Sequence, residues 1–297
     1  MRVILFGAGA MSCLFAARLA HVAQVTLVDS WNEGIAVIRE RGILLEDSHG
    51  SQTVTVDAEL LGNPVVPADL AIVLVKSWQT EEAGSCLSRY LKPEGLAISL
   101  QNGLGNLEKL GSRAFPGSTA EGSTLLGPGH VRAGGSGPTH IVAPEWVVNL
   151  FRSAGFESYG CHENEARSLI WGKLSVSCGI NALTALLRIR NGELLANPNA
   201  EDLMIRAALE CAAVANAAGI ALPFVDPARH VKAVAERTAN NRSSMLQDVL
   251  RGAPTECDAI NGAAVREGRR LDVATPVNEI LWQLVLAAVQ VNRSKFE

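Results

Sequence analysis

Residues 3–12 read Val3-Ile4-Leu5-Phe6-Gly7-Ala8-Gly9-Ala10-Met11-Ser12. Four apolar residues suit a strand buried on both faces, and they run into a glycine turn and then into a helix-forming stretch. The turn approximates G-x-G-x-x-G, with Ser12 in the third position. Gly7 permits the tight turn, and Gly9 lets the backbone approach a pyrophosphate at the positive end of the helix that follows. A small third residue lets that helix pack close to the strand. Gly7, Ala8, Gly9, Ala10, Met11 and Ser12 are therefore candidate cofactor-binding residues. Asp29 ends the next strand-like run, about twenty residues on, where a carboxylate can accept hydrogen bonds from an adenosine ribose. The alternative is a glycine turn with no ligand, and Asp29 as a helix N-cap.

Outward from this loop, strand-like and helix-like segments alternate. Arg2–Phe6 and Gln24–Asp29 read as strands, as do the short apolar runs Leu70–Val75 and Ala97–Gln101; Met11–Ala20 and Glu33–Arg41 read as helices. Alternation of this kind predicts a Rossmann-type, doubly wound α/β sheet. Between Ser118 and Pro144 the chain is rich in Gly, Pro and Thr, which predicts two or three antiparallel strands at one edge of the sheet. Helical patterns dominate from His162 onward: Glu163–Leu187, Asn199–Ala218, Pro227–Thr238, Ser243–Leu250 and Val277–Val291. The expected organisation is a dinucleotide-binding domain over 1–165 and an all-helical substrate domain over 166–297, with a ligand cleft between them.

Composition narrows the classes. The 297 residues carry 26 Lys+Arg against 30 Asp+Glu, a net charge of −4, which disfavours nucleic acid as the main partner. The six cysteines (Cys13, Cys86, Cys161, Cys178, Cys211, Cys257) show neither C-x-x-C pairing nor zinc-ligand spacing, so no metal site is expected, and a cytoplasmic setting is. Runs such as Leu70–Val75 are too short to span a bilayer, so no membrane partner is expected. Arg2 with the apolar stretch after it mimics a signal peptide, but Val3–Phe6 running straight into a glycine turn reads better as a first strand.

Several residues could do chemistry. Lys173, in Trp171-Gly172-Lys173-Leu174, recurs with Ser177 and Asn181 at i, i+4 and i+8, on one helix face. A lysine on a mostly apolar helix can donate a proton when burial or a neighbour tunes it; an arbitrary lysine instead snorkels to solvent. Glu256 would share a helix face with Ile260, Asp258 turning away, and taken alone is an early-helix carboxylate favoured by the dipole. Asn102, in Gln101-Asn102-Gly103, ends a strand at the carboxyl edge of the sheet, where ligands bind in such folds; alternatively Asn-Gly is a turn.

Assembled in order, these pieces resemble the ketopantoate reductase (2-dehydropantoate 2-reductase) family along nearly the whole chain. The resemblance is carried by Val75-Lys76-Ser77-Trp78-Gln79 and Gln101-Asn102-Gly103-Leu104-Gly105. It is carried further by Trp171–Leu174 with Ile180–Leu186, by Asn191-Gly192-Glu193-Leu194, by Ser243–Asp248 and by Glu256–Gly262. The resemblance implies hydride transfer from NADP or NAD to a 2-keto acid in pantothenate biosynthesis. It implies that Lys173 is the general acid at the ketone oxygen and Glu256 a catalytic carboxylate near substrate and nicotinamide ribose. Lys76 and Asn102 would contact cofactor, and Asn102, Ser177, Asn181, Asn191, Asn241 and Ser244 would line the substrate site. A homodimer is a possible assembly.

Three positions depart from the family pattern. Ser12 replaces the third glycine. Ser177 stands where the family has an asparagine one turn beyond the lysine, which bears on substrate. Ser30 stands where the family has a basic residue for the adenosine 2′-phosphate, directly after Asp29, which bears on cofactor choice; Arg39 or Arg41 could reach a phosphate in its stead. A paralogue reducing another branched 2-keto acid is the near alternative. A 3-hydroxyacid dehydrogenase fits the Gln-Asn-Gly and Ser-Ser-Met-Leu-Gln-Asp motifs less well. A non-catalytic dinucleotide sensor would have no need of both Lys173 and Glu256.

Overall fold

The computed structural model describes residues 1–293. Contacts divide the chain into two units, Met1–Gln101 with Asn106–Ala166, and Asn102–Gly105 with Arg167–Glu297.

The first unit begins β1 (Arg2–Phe6), α1 (Ala10–Leu19), β2 (Gln24–Asp29), α2 (Asn32–Arg41), β3 (Ile43–Asp47), β4 (Gly50–Val54), β5 (Asp57–Leu60) and β6 (Ala68–Val73). It continues α3 (Thr80–Tyr90), β7 (Leu91–Ser99), α4 (Leu107–Leu110), β8 (Ala114–Thr119), β9 (Ser123–Gly127), β10 (His130–Ala133), β11 (Thr139–Ile141), α5 (Glu145–Ser153) and β12 (Ser158–Gly160). The main sheet has the order β12-β11-β8-β7-β6-β1-β2-β5, with β1 central and paired in parallel with β2 and β6. Val3–Phe6 and Leu70–Val73 are buried throughout, as a strand covered on both faces requires. The expected doubly wound sheet is present.

The antiparallel edge differs from expectation. In the main sheet only the β11–β8 pairing is antiparallel, and β12, parallel to β11, runs with it. β9 and β10 instead form a hairpin that joins the unforeseen hairpin β3–β4 in a second sheet, ordered β4-β3-β10-β9. The reason lies in α1, which touches β1 and β2 on one side and β3, β9 and β10 on the other. A helix covered on both sides must be apolar nearly all round, and Cys13, Leu14, Phe15, Ala16, Ala17 and Leu19 are all buried.

The second unit is helical: α6 (Glu163–Leu187, its first turn in the first unit), α7 (Pro198–Ala217), α8 (Pro227–Arg237), α9 (Ser244–Leu250), α10 (Ala263–Arg270) and α11 (Pro276–Arg293). Asn197, Asp226 and Ser243 cap α7, α8 and α9 through their side chains, each satisfying first-turn N–H groups. By length and composition α6 could cross a membrane, but most of its apolar stretch is buried among protein. Trp171, Leu174, Cys178 and Leu183 of α6 pack with Met204, Ala208 and Cys211 of α7 in the helical core. Gly179 makes that crossing close, since a Cβ there would meet the Met204 carbonyl oxygen at 2.6 Å.

Candidate active site

In the first unit, the Gly7 N–H donates to the Val28 carbonyl at 2.8 Å, and Gly7 has φ +120°, open to glycine. A Cβ on Gly7 would collide with Ser12 Oγ, so the two small residues are matched: Ser12 fills the space beneath the turn and is itself buried. A Cβ on Gly9 would meet nothing within 4 Å, so the outer face of the loop is clear. Gly9 is also the N-cap of α1 and supplies no side chain to its first N–H groups. A loop with a clear outer face, leading to a helix N-terminus with no side-chain cap, suits the phosphates of a dinucleotide.

Asp29 is buried. Its carboxylate accepts from the Ala8 N–H at 2.5 Å and from the Trp31 N–H at 3.0 Å. It therefore faces the glycine loop and is not the N-cap of α2, a position held by Trp31. Ser30 is exposed. Arg39 donates to the Ala58 carbonyl at 3.0 Å and pairs with Glu59 at 2.9 Å, and Arg41 pairs with Glu40 at 3.5 Å. Both arginines sit in the last turn of α2 and are engaged by these partners.

Lys76 precedes a short turn over Ser77–Gln79 at the end of β6; its N–H donates to Gln79 Oε1 at 3.3 Å. Gln101 braces the same region, donating to the Val75 carbonyl at 2.9 Å and to Thr80 Oγ1 at 2.7 Å. That bracing was not foreseen; the Gln in Gln-Asn-Gly was its signal.

In the second unit, Lys173, Ser177 and Asn181 form a half-buried stripe on α6 between the buried Leu174, Cys178 and Ile180. Gly172 is required by its neighbour: a Cβ would meet the Pro223 ring at 2.7 Å. Burial pulls the Lys173 ammonium down to about 8, while the Glu256 carboxylate acts in the opposite direction. Glu256 is buried in the turn before a π-helical segment, Asp258–Gly262, and not in the exposed first turn of a regular α-helix. Asp258 is exposed, as expected, and pairs with Arg266 at 3.0 Å. Asn102 is carried to the same segment: the Leu104 N–H donates to the Ala259 carbonyl at 3.0 Å, and Gly103, with φ +80°, fits directly against that carbonyl.

The remaining substrate-site candidates lie in one neighbourhood of the helical unit. Asn191 is buried, donates to Thr238 Oγ1 at 2.9 Å, and its N–H reaches the carbonyl of Asn241 at 3.1 Å. Its Oδ1 has no partner among the described residues. Asn241 and Ser244 are exposed. The buried serine is Ser243, which accepts from the Leu246 N–H at 3.1 Å and from Thr184 Oγ1 at 2.7 Å, tying α9 to α6. Sequence reasoning also passed over Asn261 and Asn278, both fully buried. No group of three or more His, Cys, Asp or Glu suited to a metal ion exists among the described residues.

The chain matches two family profiles. "Ketopantoate reductase PanE/ApbA" covers residues 3–146, and "Ketopantoate reductase PanE/ApbA C terminal" covers residues 165–289. It is 35% identical to a 2-dehydropantoate 2-reductase of Halobacterium salinarum, over 97% of this chain and 99% of that one. It is 30% identical to one of Pyrococcus horikoshii, over 97% of both. Among solved structures, a PanE/ApbA family ketopantoate reductase from Ralstonia eutropha superposes with TM-score 0.91 at 31% identity, covering 99% of this chain and 100% of that one. D-mandelate dehydrogenase in ternary complex with NADH and anilino(oxo)acetate superposes with TM-score 0.92 at 26% identity, covering 98% and 99%.

Proposed function

The chain belongs to the ketopantoate reductase family of nicotinamide-dependent oxidoreductases, and on that premise we propose that it reduces 2-dehydropantoate to pantoate in pantothenate biosynthesis, with Lys173 as proton donor. What supports this reading is the place of the half-buried Lys173 on one face of α6 with Ser177 and Asn181, its ammonium drawn down to about 8 by desolvation with the Glu256 carboxylate acting the other way. Reduction of a ketone places negative charge on its oxygen. An ammonium in a desolvated site stabilises that charge, and with a pKa near the working pH it can also give up its proton. A bound reduced nicotinamide supplies the hydride. The glycine loop orients that cofactor through the α1 N-terminus, Lys76 and Asn102 contact it, and Ser177, Asn181, Asn191, Asn241 and Ser244 hold the keto acid.

The finer choice of cofactor follows from Asp29. Its buried carboxylate faces the loop and Ser30 brings no positive charge, which supports NADH as at least the equal of NADPH. A second reading, reduction of a bulkier 2-keto acid, is favoured by Ser177, a shorter side chain one turn beyond Lys173. A cytoplasmic setting is supported by the six free cysteines. A homodimer is supported by Ile280 and Leu284, which are exposed on α11 one turn apart; sedimentation would test it. The test of function is a panel of 2-keto acids, ketopantoate included, with NADH and NADPH, following loss of the reduced cofactor. Preferential turnover of ketopantoate supports the first reading, preference for a larger acid the second. No turnover of any contradicts both and favours a sensor.

A further inference from the structure

We propose that Asn261 is a positioning residue that holds the Glu256 carboxylate against Lys173. Asn261 is fully buried, and its side-chain polar groups are engaged. Nδ2 donates to the Cys178 carbonyl of α6 at 3.1 Å and to Asn278 Oδ1 of α11 at 3.0 Å. Oδ1 faces the Cys257 thiol at 3.7 Å. Asn278 is equally buried and passes the connection on, donating to the Ala207 carbonyl and to Glu210 Oε2, both at 2.9 Å. Glu210 in turn accepts from the N–H groups of Val277 and Asn278 at the start of α11. Asn261 thus ties the segment bearing Glu256 to α6 and α11 directly, and through Asn278 to α7.

Placement gives this network its reach into the site. Asn261 reaches α6 at the Cys178 carbonyl, just over one turn beyond Lys173, and the Glu256 carboxylate acts electrostatically on Lys173 of that same helix. The segment between Glu256 and Asn261 is a π turn, closed by Gly262 N–H to Cys257 O at 3.0 Å, while the Glu256 carbonyl accepts from Ala259 and Ile260 at 3.0 and 3.1 Å. Such turns are rare and collect at functional sites, because the widened ring re-aims the residues beside it. The same turn accepts Leu104 at the Ala259 carbonyl, so it also anchors the loop bearing Asn102. An apolar side chain could fill the volume of Asn261, but it could not join α6 to α11 through one turn, and it would strand buried partners.

The charged surroundings make the role measurable. Glu256 favours the ammonium form of Lys173. Burial holds the nearby thiols neutral across the working range, Cys257 pushed up to about 12 and Cys178 raised with Cys211 beside it. Asp258 is exposed and paired with Arg266, and Glu210 sits beyond Asn278. Loosening the π turn should therefore act on Lys173 through Glu256.

The experiment uses the full-length Asn261→Ser protein. The pH dependence of Lys173 arylation by fluorodinitrobenzene is read by peptide mass spectrometry, beside a thermal melt and steady-state kinetics. The expected result is a labelling midpoint lower by about one pH unit, at the low end of what an opposite charge at ~4–6 Å contributes. With it, kcat above the basic limb should fall about tenfold, the rate equivalent of that shift, while the KM for cofactor holds. A lower melting point with midpoint and limb unmoved would overturn the proposal and leave Asn261 a purely structural residue. Should Asn261→Ser not fold, Asn278→Ser removes only the outer partner. A smaller shift in the same direction is then expected, and an unmoved midpoint overturns the proposal equally. The inference rests on Lys173 as proton donor, but labelling needs no turnover. Failure of that reading would appear as a protein inactive on 2-keto acids whose midpoint still shifts.

Discussion

Glu256 and Lys173 oppose one another's surroundings: burial draws the Lys173 ammonium down to about 8, and the Glu256 carboxylate, itself buried, resists that fall. The sign of the pH dependence follows. Lys173 is protonated, and able to donate, below about 8, and loses that proton above it. The kcat/KM for keto-acid reduction should be level below that value and decline above it. Glu256→Gln removes the carboxylate that favours the ammonium, so the basic limb should move to lower pH by about 1–3 units, the usual effect of an opposite charge at close range. A limb that stays in place in Glu256→Gln would separate the two residues.

Asp29 and Ala8 bear on the cofactor. With the carboxylate turned to the loop, a 2′-phosphate would meet like charge in a partly desolvated niche. The ratio of kcat/KM for NADH over NADPH, with one keto acid, should be one or more, and Asp29→Ser with Ser30→Arg should shift it toward NADPH. A clear NADPH advantage in the unaltered protein would reject the role given to Asp29.

Ser177 should govern substrate choice. Ser177→Asn places a longer amide on the stripe beside Lys173 and should raise kcat/KM for ketopantoate relative to bulkier 2-keto acids. One misplaced or missing contact in such a pocket is worth about 1–3 kcal/mol, so a change of roughly tenfold or more is expected. An unchanged or reversed preference would remove Ser177 from the pocket.

Gly103 tests the link between the Asn102 loop and the Glu256 turn. Its φ of +80° and its fit against the Ala259 carbonyl leave no room for a side chain. Gly103→Ala should cost about 1–2 kcal/mol for the left-handed conformation, with displacement of Ala259 in addition, seen as a lower midpoint in denaturant. Unaltered stability would show that the loop relaxes freely.

Much of this architecture is legible in the chain. Arg2–Phe6, Gln24–Asp29 and Glu163–Leu187 have the same limits in sequence and structure, because long apolar periodicity and glycine punctuation coincide there. β3 and β4 escaped because Gly50–Val54 is almost wholly exposed and shows no alternation, and because the second sheet exists only through long-range pairing of β3 with β10. α3 escaped because Gly84 interrupts it; that glycine is there for the Lys109 carbonyl packed against it. Around the site, the candidate residues could be named from motifs, but the burial of Glu256 and the ties of Asn261 depend on α6, 83 positions earlier in the chain for the Asn261–Cys178 bond. No local pattern encodes such a contact. Ser243, not Ser244, proved the buried member of its pair, a distinction set by helix capping and by Thr184.

The most direct measurement is the steady-state reduction of ketopantoate by Lys173→Ala, paired with a fluorescence titration of reduced cofactor binding. Loss of a general acid costs ~10²–10⁴-fold, so kcat/KM should fall by that order, the basic limb near pH 8 should vanish, and the cofactor Kd should stay within about twofold. Near-normal turnover with the basic limb intact would contradict the assignment of Lys173 as proton donor, and with it the central claim.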